Sequence, residues 1–372
     1  MTNKELKERL VDTICLLNIP GVGRARFNRL VKSLGSAANV LHASTAELEA
    51  VTGISRSIAE DIRDKRNPDE ARQAAARIVQ LGWTVLFPDR PGFPGALVNI
   101  ADTDIPPVLF ASGPCDEDTK MVAIVGTRHP TEQGRMFAYN LAASLTQAGI
   151  AVVSGMAEGI DAAAHKGALD AGGHTVAVWG SSLDVPYPPS NKGLADRIAA
   201  QGVILSEYLP ETPPERANFP ERNRIISGLS EGVVVVEAGR KSGALITAEH
   251  ALGQGRELFA VPGQPSQKMS EGANTLIKKG ARLLTSVEDI FEELPLLRGH
   301  VLTKKFTRLP DMTDIEKKLV HMVTAGPRQI DEISRDMELP TAELMEFLLA
   351  LEMKGVIREL SGKRFALADE YL

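Results

Sequence analysis

Two cysteines in 372 residues, Cys15 and Cys115, supply neither a disulfide framework nor the ligand spacing of a zinc site. Both are expected to be reduced thiols with structural roles, and no metal or other cofactor is expected. No apolar run approaches the length needed to cross a bilayer, and the residues before the first glycine-rich turn are polar, without a secretory core. A cytoplasmic protein with no membrane contact is the expectation. A surplus of positive charge is also missing, since 42 Lys and Arg stand against 48 Asp and Glu, a net charge of −6. That excludes a nonspecific polycation, so any grip on nucleic acid must come from a local patch. Neither Gly-x-Gly-x-x-Gly after the first buried strand nor a Walker Gly-Lys-Ser/Thr occurs, which disfavours the usual dinucleotide and ATP sites.

What is present is a change of period along the chain, and at 372 residues two or three domains are expected. Residues 1–80 read as a helical domain of the SAM-like, helix-hairpin-helix kind, with glycine-centred turns at Gly21 to Gly23 and at Gly53. Turn amides of such a unit can hold one backbone phosphate, helped by Arg24, Arg26 and Arg29, or the unit can serve packing alone. The residues leave both open. Residues 81–293 alternate helical stretches with seven short apolar runs, at 122–126, 151–155, 175–180, 202–207, 233–238, 258–263 and 282–286. Strands apolar on both faces belong to a parallel sheet covered on both sides, so the fold class is α/β, an extended Rossmann-like doubly wound, mainly parallel sheet. Two earlier runs, 83–87 and 108–111, are placed to extend it. Residues 294–310 mix Pro, Gly and Lys without a period and read as a linker.

Residues 311–372 then give a capped helix from Thr313, helices over 329–337 and 341–354, and a hairpin, which together make a winged helix. The third helix carries Glu343, Glu346 and Glu352, with Lys354 only at its end. Helices that read a groove present Arg, Asn or Gln to the bases, so a protein-interaction or regulatory role is preferred here. Lys363 and Arg364 in the wing can still reach a backbone.

The chemistry gathers where the apolar runs end. In open α/β sheets ligands bind beyond the carboxyl ends of the strands. A buried strand that stops at Gly126-Thr127-Arg128 brings amides and one guanidinium to a point, as a phosphate requires. Ser154-Gly155 ends a later run and Ser242-Gly243 follows the run 233–238, and both are expected at the same crevice. The richest stretch holds Asn218, Phe219, Arg222, Asn223 and Arg224, with Arg216 just before it. A ring at the tip of a Pro-rich loop beside several cations suits a base and its phosphates. It also suits a buried anchor whose arginines are tied to Glu207, Glu221 or Glu237, and composition does not choose. Ser154, Asp161 and His165 invite a hydrolase reading, but the turn is not a Gly-x-Ser-x-Gly elbow. A capping Asp and a hydrogen-bonded His are preferred, and no catalytic residue is assigned.

Taken in order, AIVGTR (123–128), VVSGMAEGIDAAAH (152–165), LDVPYP (183–188), LSEY (205–208), NFPERNRIISGLS (218–230), VVEAG (235–239), SGALITA (242–248) and FAVPG (259–263) closely resemble the DNA processing protein family DprA, or Smf. The resemblance is dense over residues 83–290, and the flanking domains look like those of three-domain members. It implies a non-enzymatic protein that binds single-stranded DNA during natural transformation, protects it and helps load RecA for recombination. It further implies a homodimer built through the central domain, Arg128 as the phosphate-binding arginine, Arg216 at a position that is basic in the family, and Phe219 as the stacking ring. The chain departs from the family pattern at Glu158, where Arg or Lys is usual, at Trp179 to Ser182, a less glycine-rich turn, and at Pro189, which can be Lys. Each lowers positive charge or flexibility near the crevice. Two rivals remain: a phosphoribohydrolase-like nucleotide-processing enzyme, for which residues 242–249 are a loose echo, and a winged-helix regulator with a sensing core.

Overall fold

The computed structural model describes residues 3–113, 115, 117–297, 313–324, 328–337, 339–353, 356–360 and 363–367. They fall into two compact units, Met1–Leu297 and Arg298–Leu372. Most of the expected linker, and Lys354, lie outside the described residues.

The first unit is organised by a nine-stranded sheet. Its strands are β1 (Thr84–Leu86), β2 (Leu109–Ala111), β3 (Met121–Val125), β4 (Ala151–Ser154), β5 (Thr175–Val178), β6 (Val203–Ser206), β7 (Gly232–Val235), β8 (Glu257–Ala260) and β9 (Arg282–Leu283), in the order β1-β2-β6-β5-β4-β3-β7-β8-β9. Strands β3 to β9 pair in parallel; β1 and β2 pair antiparallel to each other and β2 antiparallel to β6, so the two early runs do extend the sheet. Alternation within each strand explains the two-sided covering. In β3, Met121, Ala123 and Val125 enter one core with Ile225, Ile226 and Ala248. Val122 and Ile124 enter the opposite core with Leu141, Leu145 and Ala164.

The chain runs outward from β3 through β4, β5 and β6, then returns to place β7 on the other side of β3. That reversal leaves a gap beyond the strand ends between β3 and β7, and the returning segment includes the helix Asn218–Gly228.

The N-terminal helices do not stand apart from the sheet. Ile14, Leu30 and Ile62 share one core with Phe87, Val108 and Phe110 beside β1 and β2. Both hairpin turns carry a glycine at positive φ, Gly21 at 83° and Gly53 at 86°. Arg26 donates to the carbonyls of Gly21 and Gly53, Arg29 to that of Thr52, and Arg24 to that of Thr103 and to Glu221. The three arginines read as favouring DNA are therefore occupied in lacing the turns together and to their neighbours.

In the second unit, β10 (Arg328–Gln329), β12 (Arg364–Leu367) and β11 (Ile357–Leu360) form a small antiparallel sheet over helices Asp314–Thr324, Ile330–Met337 and Thr341–Met353. Thr313 and Glu316 exchange bonds as a capping box, in line with the capped start expected at Thr313. Glu343 and Glu346 are exposed on the third helix.

Candidate nucleic-acid interface

A crevice of about 840 Å³ opens at the reversal point, bordered by the turn after β3, the segment after β7 and the first turns of Asn218–Gly228. Arg128 stands at its lip. The preceding turn is clamped: Thr127 donates its amide to the Glu237 carbonyl at 2.7 Å, and its own carbonyl accepts from the Ile160 amide. A Cβ on Gly126 would meet Ile160 Cγ1 at 2.6 Å, so this glycine answers a packing need. Arg128 itself is exposed, with no hydrogen bond or ion pair to any described residue. Its guanidinium carbon lies 5.7 Å from the centroid of Phe219, within cation–π range.

Phe219 is not at a loop tip. It sits in the first turn of a helix, where Pro220 is tolerated because first-turn amides have no intrahelical partner. The turn is held by Asn218, whose side-chain amide donates to the Gly180 carbonyl at 3.1 Å and whose carbonyl accepts from the Tyr208 hydroxyl. Gly180 makes room for the ring, since a Cβ there would come within 2.8 Å of Phe219 Cδ1. The Tyr187 ring lies 5.5 Å from that of Phe219, tilted by 36°. Sequence reasoning did not assign Tyr187 to the site. The signal that could have found it was its place in the motif LDVPYP (183–188).

The arginines of this helix separate by burial. Arg224 is 1% exposed, lies outside the crevice lining and binds both oxygens of Glu207. This corrects the expectation that it meets DNA, and matches the alternative of an arginine tied to Glu207. Arg222 borders the crevice but is 5% exposed, donating to the carbonyls of Gly155 and Val178 and to the Asn223 side chain. Burial pulls its pKa down to about 10. Asn223 in turn reaches the Gly243 carbonyl. Both therefore shape the crevice wall from inside.

Ser154 is fully buried and donates to the Ile124 carbonyl at 2.6 Å, while the Gly155 amide donates to Asp161. Neither is open to a phosphate, which corrects the assignment of this pair. Asp161 also accepts from the Ala157 amide and so pins a loop in which Met156 adopts a φ of 63°. A non-glycine residue there costs on the order of 1 kcal/mol, and the Asn191 side chain helps hold it by donating to the Met156 carbonyl. His165 shares its Nδ1 with the Thr175 hydroxyl, which in turn donates to the Val152 carbonyl. Burial drives its pKa down to about 3. Among the described residues no chain of hydrogen bonds joins His165 to Ser154.

Burial pushes the Asp161 carboxyl up to about 6, against the pull of Arg222 and the two amides. An unfolded Asp ionises near pH 4, so between about 4 and 6 the folded chain holds an extra proton and raising the pH removes stability. Asp161→Asn keeps an oxygen for both amides. Its stability relative to the unmodified chain should therefore rise as pH increases from about 4 to 7, by roughly 3 kcal/mol over that window. Urea melts at several pH values check this; a difference that stays constant would contradict it.

On the far wall, Ser242 caps the helix Gly243–Gly253 by accepting from the Ala244 amide, so the helix N-terminus opens on the crevice. Gly243 is exposed there, and so is Lys241, a residue that sequence reasoning passed over. Arg216 borders the crevice too. Arg128, Arg216 and Lys241 are exposed cations with no carboxylate partner among the described residues.

A doubly wound α/β domain with a cationic, aromatic-lipped crevice at its switch point, joined to a helix-hairpin-helix unit and a winged helix, defines a class of nucleic-acid-associated proteins. Residues 84–295 match the family model of DNA recombination-mediator protein A, residues 307–363 the DprA winged helix domain, and residues 15–66 the SAM-like helix-hairpin-helix tandem. The chain belongs to the DNA recombination-mediator protein A family, the DprA/Smf proteins. It is 35% identical to protein Smf of Synechocystis sp., covering 93% of this chain and 96% of that one. With the DNA processing protein DprA of Bacillus subtilis it shares 47% identity over 52% of this chain and 65% of the relative. Among solved structures, DprA of Streptococcus pneumoniae superposes with a TM-score of 0.65 at 32% identity, covering 79% of this chain and 98% of that one. DNA processing protein A of Helicobacter pylori, whose structure is described for its single-stranded DNA binding mode, gives 0.51 at 32% identity over 57% and 96%.

Proposed function

We propose that this protein binds single-stranded DNA in the crevice between β3 and β7, as a mediator that protects incoming strands in natural transformation and helps load RecA. The observation that carries the reading is the half-buried ring of Phe219 close to both Tyr187 and the unpaired Arg128 on the crevice border, with Arg216 and Lys241 lining the same crevice. Cations that are not held by carboxylates can release counterions on meeting phosphates, and an accessible ring offers any base a stacking face. Such contacts read no base edges, so binding is largely tolerant of sequence. The site is proposed to be non-catalytic, to act in the cytoplasm, and to be doubled in a homodimer, giving a bivalent grip on one strand.

Anisotropy titrations of labelled oligothymidine and of a duplex of equal length, across salt, test the proposal. The single strand is expected to bind more tightly, with affinity falling as salt rises. Phe219→Ala should lose about 1–3 kcal/mol of binding to the single strand. Equal binding of duplex and single strand, or an unchanged dissociation constant for the variant, would oppose this reading.

A further inference from the structure

A separate cavity of about 450 Å³ lies between the start of the helix Glu132–Gln147, the ends of β7 and β8, and the segment that follows β8. It shares no lining residue with the DNA crevice, and no cation lines it. Glu237 does line it, and at 9% exposure this side chain is nine-tenths buried. The amide and hydroxyl of Thr131 donate to its two oxygens at 2.9 and 2.6 Å. Both donors are neutral, and no Lys, Arg or His pairs with the carboxylate among the described residues. A carboxylate has about four acceptor positions, so half of them stay unused. The nearby helix N-terminus offsets part of the charge, but a buried carboxylate is ordinarily paired with a cation as well. Gly134 keeps the group in place, because a Cβ there would come within 2.5 Å of the Glu237 carboxyl carbon.

We propose that this cavity is a socket for a guanidinium, the arginine side chain of a partner protein, with Glu237 as its counter-charge. The inference stands apart from the single-strand reading, since a carboxylate without a cation repels phosphate. A guanidinium suits the cavity better than an ammonium: it is planar, more weakly hydrated, and can give parallel N–H bonds to the unused carboxylate positions. The half-buried ring of Phe137 offers it a face, and Val236 and Val261 border the space that its methylene stem would fill. Gln133 and Gln264, both exposed, bring side-chain carbonyls that can accept its remaining N–H groups. The surroundings favour an arginine carried by a protein. Met136, next to Phe137 on the helix, is 46% exposed and extends the apolar border on to the surface. Arginine and methionine are both enriched at protein interfaces, where a buried arginine anchor is ringed by contacts that exclude water.

Titration of the full chain with capped tripeptides, alanine on either side of arginine, lysine or citrulline, tests this by saturation-transfer NMR at low salt. The arginine peptide is expected to bind in the millimolar range, and the citrulline peptide, its neutral isostere, about tenfold more weakly. The lysine peptide should fall between them. Glu237→Gln keeps an oxygen for Thr131 and should cut arginine-peptide binding about tenfold. Gln133→Lys, at an exposed position on the cavity border, supplies a cation from the chain itself and should have the same effect without disturbing a buried group. Saturating oligothymidine should leave peptide binding unchanged. No binding of the arginine peptide, equal binding of the citrulline peptide, or affinity that survives both substitutions would overturn the socket. Agmatine binding far more tightly than the arginine peptide would overturn the protein occupant in favour of a small organic cation. Displacement of the peptide by oligothymidine would contradict a separate site, whereas failure of oligothymidine to bind at all would bear on the strand site alone.

Discussion

Replacing Arg128 by alanine is expected to weaken binding of a short oligothymidine about 10- to 100-fold, the range for removing a charge-assisted bond to phosphate. The melting temperature should move by no more than about 2 °C, because the side chain is exposed and bonds to no described residue. The salt dependence should become shallower as well, by about 0.7 in the slope of log K against log salt when one fewer phosphate of a single strand is neutralised. Anisotropy over a salt series together with a thermal melt measures all three. Near-unchanged affinity would remove Arg128 from the site, and a large drop in melting temperature would mean that it supports the fold.

Arg224 should behave in the opposite way. It is 1% exposed and holds both oxygens of Glu207, whose side chain is 16% exposed. Truncating it leaves a largely buried carboxylate without its counter-charge, which costs on the order of 3–5 kcal/mol. Arg224→Ala is therefore expected to lose that much stability in urea denaturation. Arg224→Met combined with Glu207→Gln removes both charges and should recover much of the loss. Material of either variant that remains folded should bind oligothymidine with close to normal affinity. A stable Arg224→Ala protein with impaired DNA binding would place this arginine in the interface after all.

The contrast between these two arginines marks where the sequence was legible. Both stand in motifs rich in cations and small residues, and a linear reading treats them alike. Whether a guanidinium faces solvent or a carboxylate depends on which strand ends lie beside it, and that follows from sheet order. The same limit applies to Arg24, Arg26 and Arg29, whose acceptors are carbonyls and acids up to 197 positions away. Parallel strands, by contrast, announce themselves. Burial on both faces requires continuous apolar runs, and the sheet's return past β3 leaves a crevice that the glycine-ended strands already indicated. Phe219 was legible as a ring bordering the crevice, while its helix was obscured by Pro220, a helix breaker everywhere except in the first turn. Gly126 and Gly155 point to a further cause of error. A glycine at a strand end can be required by a ligand or by a neighbouring side chain. Here Ile160 crowds the first, and Arg222 and Asp161 crowd the second.

Glu158 illustrates how a departure from a family pattern can be read physically. A carboxylate in place of a cation lowers the general attraction for phosphate.

Unpaired DNA lying across the strand-end crevice would set a base against Phe219, a placement that crosslinking can register without any variant. Photocrosslinking of an oligothymidine carrying 5-iododeoxyuridine, followed by peptide mapping, is the experiment, because that base couples preferentially to aromatic rings in contact with it. Adducts are expected on the peptides that contain Phe219 and Tyr187, and they should diminish in Arg128→Ala. Adducts confined to the helix-hairpin-helix turns or the winged helix, with the crevice peptides unlabelled, would refute this placement of the strand.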